Sequence, residues 1–286
     1  MNNNFRSEIL NFISTGGIKL HYPEITSTTV THEGSSTEHR IRISIGGEQV
    51  ITGFFIKHIL THSLLDAALD SENPEIENKS FMEKYNSLPS GTSFESATKE
   101  TYRILTLIRN VITHNKSKLE ESENGIKFSY KQHQKNNMLT IRISWKCLAI
   151  LYAIAVIRSK LNPPADRYHQ LIISAMYASA FPGVYEFSDV QHSKSGIPLQ
   201  QVTLDRGIKW RRRYRVTNTV LNFSPTDNMV KITNRHRIHP EESWAGDEYL
   251  VFLDEQHYLV PGEFLDENGE ICKSELVSWR RLNEVI

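Results

Sequence analysis

Four side chains near the middle of the chain, Arg109, Asn110, Thr113 and His114, have the types and spacing to work on an anionic group. An imidazole takes and gives protons near neutral pH. A guanidinium holds oxyanions through forked hydrogen bonds, and an amide can orient either. At 100° per residue on a helix, the four project to one side, while Ile104, Leu105, Ile108, Val111 and Ile112 project to the other. Arg109 with Thr113 and Asn110 with His114 are i,i+4 pairs, so the polar groups form one compact ridge. Arg109 and His114 are separated by about 7.5 Å along such a helix, within the reach of a long Arg side chain. The same cations would also suit a solvated helix C-terminus, where they complement the dipole.

The helix that must carry this ridge runs from Ser93 to Asn115, with Ser93 or Ser96 as N-cap and Phe94, Ala97, Thr101, Ile104, Leu105, Ile108, Val111 and Ile112 as its buried stripe. Around it the pattern predicts a short helix over 5–13, ended by Gly16-Gly17, and a surface hairpin made of 28–33 and 38–45. A core helix over 49–69 ends at Asn73-Pro74, and a shorter helix covers 81–88. Residues 116–124 read as a charged loop, and 126–130 with 139–144 as a hairpin. Trp145 to Leu161 is apolar nearly all round, which places it at the centre of a bundle, and another helix spans 166–180. After residue 183, Gly, Pro, Asn and short alternating runs replace helical spacing, so the expected domains are 1–183 and 184–286. In the second, 249–253 pairs with 257–260, 264–265 with 271–272 around Asn268-Gly269, and 275–282 forms a closing helix. The expected class is α+β.

Two further sets have chemical types worth weighing. His58 and His62 stand at i,i+4, a spacing that can chelate zinc, but no Glu follows the first and no third ligand is evident, so they also fit a polar helix face. Over 208–216, Ile208, Trp210, Tyr214 and Val216 alternate with Lys209, Arg211, Arg213 and Arg215, with Arg212 the exception on the apolar side. On a strand this is a cationic stripe backed by aromatics, with Arg235, His236 and Arg237 downstream, and it fits a nucleic-acid interface. Residues 201–240 carry nine Lys/Arg against two Asp/Glu, net +7, whereas 241–286 carry three against twelve, net −9. Internal pairing between those segments is the equal alternative.

Arg109-Asn110-Val111-Ile112-Thr113-His114 resembles the R-x4-H signature of the HEPN superfamily (higher eukaryotes and prokaryotes nucleotide-binding domain), in which an Arg, usually followed by a polar residue, precedes a His near the end of a bundle helix. The resemblance covers about residues 49–180. It implies an N-terminal HEPN-like helical bundle with hairpin decorations, followed by a β-rich C-terminal domain. It implies a metal-independent endoribonuclease, of the kind found in toxin-antitoxin and antiviral defence systems, with Arg109, Asn110 and His114 as catalytic residues and RNA as substrate. Its active site would form where two motifs meet in a homodimer, and an antitoxin or nucleotidyltransferase would be a further partner. A single His does not easily serve as base and acid on opposite sides of one phosphorus, which is consistent with that dimer. The alternative is a non-catalytic RNA-binding or interaction module that keeps the bundle and uses the basic stripe.

Composition limits other readings. The hydrophobic fraction is 39% and the charged fraction 23%, with zero formal net charge, so bulk electrostatics selects no partner. Two cysteines, Cys147 and Cys272, fit a reducing, cytoplasmic compartment without a disulfide framework. Met1 to Phe12 is Asn-rich and interrupted by Glu8, so no secretory signal is expected, and Cys147 to Ile157 is too short to span a bilayer. No G-x-x-x-x-G-K-[ST], G-x-G-x-x-G or G-x-S-x-G loop occurs, so no cofactor and no metal is expected.

Overall fold

The computed structural model describes residues 2–15, 25–30, 36–41, 53–114, 118–131, 138–160, 166–188, 202–204, 206–217, 219–223, 228–233 and 246–281. It is an α+β protein of two compact units, and each is made of separated chain segments. The first comprises 1–23, 43–160 and 176–203, and the second 24–42, 161–175 and 204–286. A single cut after residue 183 does not describe this division. The physical reason is the early hairpin, whose first strand inserts beside a strand from the C-terminal part.

The first unit is a helical assembly with a four-stranded sheet. Helix α1 (Asn2–Thr15) packs on α2 (Phe54–Glu72), and α2 packs on both α4 (Ser93–His114) and α5 (Trp145–Lys160). The short α3 (Phe81–Ser87) opens with a reciprocal capping box between Ser80 and Glu83. For α4 the cap is Thr92, one residue before the expected Ser93: its hydroxyl accepts from the Glu95 amide at 3.2 Å, and the Glu95 carboxylate accepts from the Thr92 amide at 2.9 Å. Ser93 instead donates to the Thr203 carbonyl at 2.9 Å.

The sheet of this unit has the order β3 (Leu119–Ser122), β4 (Gly125–Lys131), β5 (Met138–Ser144), β6 (Val184–Ser188), all antiparallel. The expected hairpin is its centre, with Ile126 opposite Ile143 and Phe128 opposite Ile141, their side chains buried. β3 occupies part of what reads as a charged loop, because Leu119 to Ser122 pairs with the strand beside it. Gly125 makes the turn possible, since its φ is +152° and a Cβ there would lie 2.0 Å from the Ile143 carbonyl oxygen. As its composition predicts, α5 is buried on nearly every side from Cys147 to Ser159.

The second unit holds a mixed five-stranded sheet. Strands β1 (Ile25–Val30) and β2 (Ser36–Ile41) form the early hairpin, but β1 also pairs parallel to β7 (Arg212–Val216). The expected free surface hairpin is therefore part of a sheet; residues 31–33 and 42–45 of that expectation lie outside the described residues. β7 pairs parallel to β10 (Gly246–Leu253), which turns tightly at Asp254-Glu255, both at positive φ, into β11 (Gln256–Pro261). A second sheet places β9 (Met229–Thr233) between β8 (Val220–Phe223) and β12 (Glu270–Cys272). Ile271 thus pairs with Val230 and not with the 264–265 segment, which is a single 3-10 turn. The closing helix α7 spans only Lys273–Ser278, after which Arg280 bridges back to Tyr258. Helix α6 (Arg167–Ala180) is grouped with this unit up to Ala175. No helix among the described residues is long and apolar enough to cross a membrane.

His58 and His62 are buried pieces of the α2 contact with its neighbours. His58 Nε2 lies 2.8 Å from the Leu105 carbonyl, which only accepts, so that nitrogen carries the proton and Nδ1 accepts from the Tyr152 hydroxyl at 2.8 Å. His62 Nε2 is 3.0 Å from Thr106 Oγ1. Both rings are neutral for a physical reason: burial pushes His58 from 6.5 down to about 3 and His62 to about 4. The folded values lie below the unfolded one, so this stabilisation is present above pH 6.5 and is lost as pH falls toward 4 and then 3. We expect urea-unfolding stability to decline below about pH 6.5 by up to about 1.4 kcal/mol per pH unit for each ring. His62→Gln should flatten that decline, and an unchanged slope would contradict the assignment.

Candidate functional site

The last two turns of α4 differ from everything before them. From Ala97 to Ile108 the helix is buried on every side, including the charged Lys99, Glu100 and Arg103. A purely amphipathic helix with one solvated face is therefore the wrong picture for that stretch. Arg103, with no exposed surface, donates from Nε to Glu100 at 3.1 Å and from both terminal nitrogens to the Glu186 carboxylate of β6 at 3.2 and 3.3 Å. Tyr130 and Tyr85 complete the set, donating to Glu186 and Glu100 at 2.6 Å each. In sequence, Glu100 and Arg103 look like an ordinary i,i+3 surface pair, and only Glu186, far along the chain, reveals their role.

Beyond Ile108 the polar ridge emerges. Arg109 and His114 are exposed and Asn110 is half-buried, while Ile108 and Val111 remain in the core and hold the helix down. Arg109 Nη1 donates to Asn110 Oδ1 at 3.0 Å. Asn110 thus orients the guanidinium of its neighbour. Thr113 donates its hydroxyl back to the Arg109 carbonyl at 2.9 Å, so this member of the ridge is occupied by its own helix. What stands free of the core is a guanidinium held by an amide and, one turn on, an imidazole. Upstream the same stripe continues through Thr106 and Tyr102, where α2 covers it: His62 stacks on Tyr102 with centroids 6.0 Å apart. Among the described residues, no group of three His, Cys, Asp or Glu is placed to hold a metal ion.

The cationic stripe is distributed differently from its alternation. Lys209 and Arg211 are exposed, outside any strand, with Arg211 lying 5.2 Å over the Trp210 ring. Arg213 has no exposed surface. It donates to Glu263 at 2.6 and 3.1 Å, to Glu248 at 3.3 Å and to the Asp247 carbonyl at 2.6 Å. Arg215 donates to Glu248 at 2.8 Å. Ser27 and Tyr168 also donate to Glu248. Burial alone would raise the Glu248 carboxyl; Arg215 and Arg213 beside it outweigh that and hold it below the usual carboxylate range. The cause is tertiary: β7 lies between β1 and β10, and Glu248 of β10 and Glu263 after β11 converge on Arg213. Tight packing extends to Gly246, where a Cβ would come 2.1 Å from Arg213 Nη1. For Arg213 and Arg215 the positive and negative segments pair with each other, and a nucleic-acid contact through Arg213 is excluded by burial. Arg235, His236 and Arg237 lie outside the described residues.

One Asp–His pair has no counterpart in the sequence reading. Asp166 caps α6 by accepting from the His169 amide at 2.9 Å, accepts from His169 Nδ1 at 2.6 Å, and pairs with Arg281 Nε at 3.2 Å. His169 is fully buried, so it holds the start of the helix and is closed to a substrate.

The two arginines flanking Arg212 should separate in experiment. Arg213→Ala removes a buried cation shared by two carboxylates and should cost about 3–5 kcal/mol in urea unfolding, whereas Arg211→Ala should change stability by less than about 0.5 kcal/mol. Equal effects would contradict the buried cluster.

No family model, no curated protein and no solved structure matches this chain.

Proposed function

We propose that the chain is a metal-independent endoribonuclease of the HEPN type, acting in antiviral defence or as a toxin. One observation carries this reading: on a helix enclosed from Ala97 to Ile108, the ridge of Arg109, Asn110, Thr113 and His114 reaches the surface together. Their chemistry suits attack by an RNA 2′-hydroxyl on the adjacent phosphorus. The 2′-oxygen gives its proton to a base, the P–O5′ bond breaks, and the leaving 5′-oxygen takes a proton. His114 is the proton-exchanging group. Arg109, steered by Asn110, holds the charge that builds on the non-bridging oxygens. Base and acid act on opposite sides of phosphorus, so the second imidazole comes from another copy of the chain, making the active species a homodimer. An antitoxin or a nucleotidyltransferase would be the natural partner for restraining it.

His114→Ala and Arg109→Ala should each lower the rate of single-stranded RNA cleavage by about 10²–10³ or more while leaving unfolding midpoints unchanged, because both side chains are exposed. Asn110→Ala should cost less. Full cleavage by His114→Ala would sink the proposal. Loss of RNA binding alone, with no cleavage by the unaltered chain, would favour the non-catalytic RNA-binding module. Sedimentation equilibrium should show a dimer under conditions of full activity.

A further inference from the structure

The starts of α2 and α5 lie at the same end of the bundle as the ridge, as follows from the contacts between the helices. His58 touches both Leu105 and Tyr152, which sets residues 58, 105 and 152 at one height. Arg158 pairs with Glu72 and lies 5.2 Å over the Phe94 ring, which puts residues 72, 94 and 158 all on the same side of that level. Helices α2 and α5 therefore run in the same direction and α4 runs against them. At 1.5 Å per residue from the first level, Phe54 and Arg109 both lie about 6 Å toward the same end, Trp145 about 10 Å and His114 about 14 Å. The ridge also emerges on the α2 flank of α4. Thr106, which bonds to His62, begins the stripe that continues through Arg109, Asn110 and Thr113. Phe55 and Ile59 precede His62 by seven and three positions on the facing side of α2.

This end of the bundle is aromatic and partly open. Phe54, Phe55 and Trp145 are each half-buried, and Ile56 beside them is 53% exposed. Phe54 stands edge-on to Trp145 at 5.4 Å and 77°, and Phe55 lies 5.4 Å from Phe54. The platform is fixed from below and from the side. Phe54 rests 5.9 Å from the His58 ring. The Trp145 indole N–H donates to the carbonyl of Ser122, the last residue of β3, at 2.8 Å, and its backbone N–H to the carbonyl of Asn124, in the turn that follows, at 3.2 Å. A half-open aromatic group at the same end of the bundle as an exposed guanidinium has the chemistry of a single-stranded nucleic-acid subsite: the cation takes a phosphate and the rings take a base.

We infer that Phe54, Phe55 and Trp145 form a base-stacking subsite that holds an unpaired nucleobase of single-stranded RNA next to the phosphate gripped by Arg109. The inference rests on the ribonuclease reading for its substrate, but it is testable without cleavage. The ligand is single-stranded because a base inside a duplex has its faces covered by its neighbours. Sequence preference is weak, because stacking uses the π-face that every base has.

The probe is a short fluorescein-labelled oligouridylate bound to the full-length His114→Ala chain, compared with the same oligomer carrying abasic riboses. Removing the bases, or replacing Trp145 or Phe55 by Leu, should each weaken binding by about tenfold, and Trp145→Phe should retain most of the affinity. Near-UV circular dichroism and unfolding midpoints show whether the Leu variants keep their fold. If Trp145→Leu unfolds, the abasic comparison on the folded parent decides alone. Equal affinity for the two oligomers overturns the subsite, as does a folded pair of Leu variants that bind as the parent does. Base-dependent binding lost in those variants supports it even if the unaltered chain never cleaves RNA, so its failure and that of the ribonuclease reading are read separately.

Discussion

The guanidinium of Arg103 is the constraint on which the first unit depends. It lies in a volume closed to water, on the helix that ends in the candidate site, and it binds one carboxylate from its own helix and another from β6. One cation facing two carboxylates would leave excess negative charge, and the tyrosine hydroxyls of Tyr85 and Tyr130 supply the missing donors. A buried network of charge-assisted hydrogen bonds has a narrow choice of geometry. Rotating α4 by one residue about its axis would strand at least one charge in the core, at a cost of several kcal/mol. That constraint, together with the buried Ile108 and Val111, is why the helix presents Arg109 and His114 to solvent in one defined orientation.

The second unit repeats the logic with a different scaffold. Glu248 sits in β10 and receives donors from β1, β7 and α6, while Arg213 is shared between Glu248 and Glu263. These contacts bring together segments distant along the chain, and β1 enters the sheet parallel to β7 at the same place. In both units charged residues do structural duty inside, and apolar ones contribute the bulk of the core. The external chemistry falls to the small set that the cores leave over.

The aromatic group at the start of α2 and α5 is set by the same packing. Its rings are half in the core and half out, so packing fixes their position while the outer parts stay accessible. Neither helix alone carries a recognisable nucleic-acid pattern. The group exists because α2 and α5 run in the same direction, and α4, running against them, brings its ridge to the same end.

Much of the secondary structure was legible in the residues themselves, because it depends on local periodicity and punctuation. The apolar run of α5, the Ile126–Tyr130 hairpin strand and the punctuation after Ala180 each report a short-range preference, and the structure follows them. The ridge of Arg109, Asn110 and His114 was legible for the same reason, since helical spacing alone places them together. What the tertiary structure decided was which polar residues are inside. Arg213 and Arg103 carry the same charge as Arg211 and Arg109, and no local pattern distinguishes them. The difference lies in partners such as Glu248, Glu263 and Glu186, contributed by strands and turns far away in sequence, and a charge can leave water only where such partners converge on it.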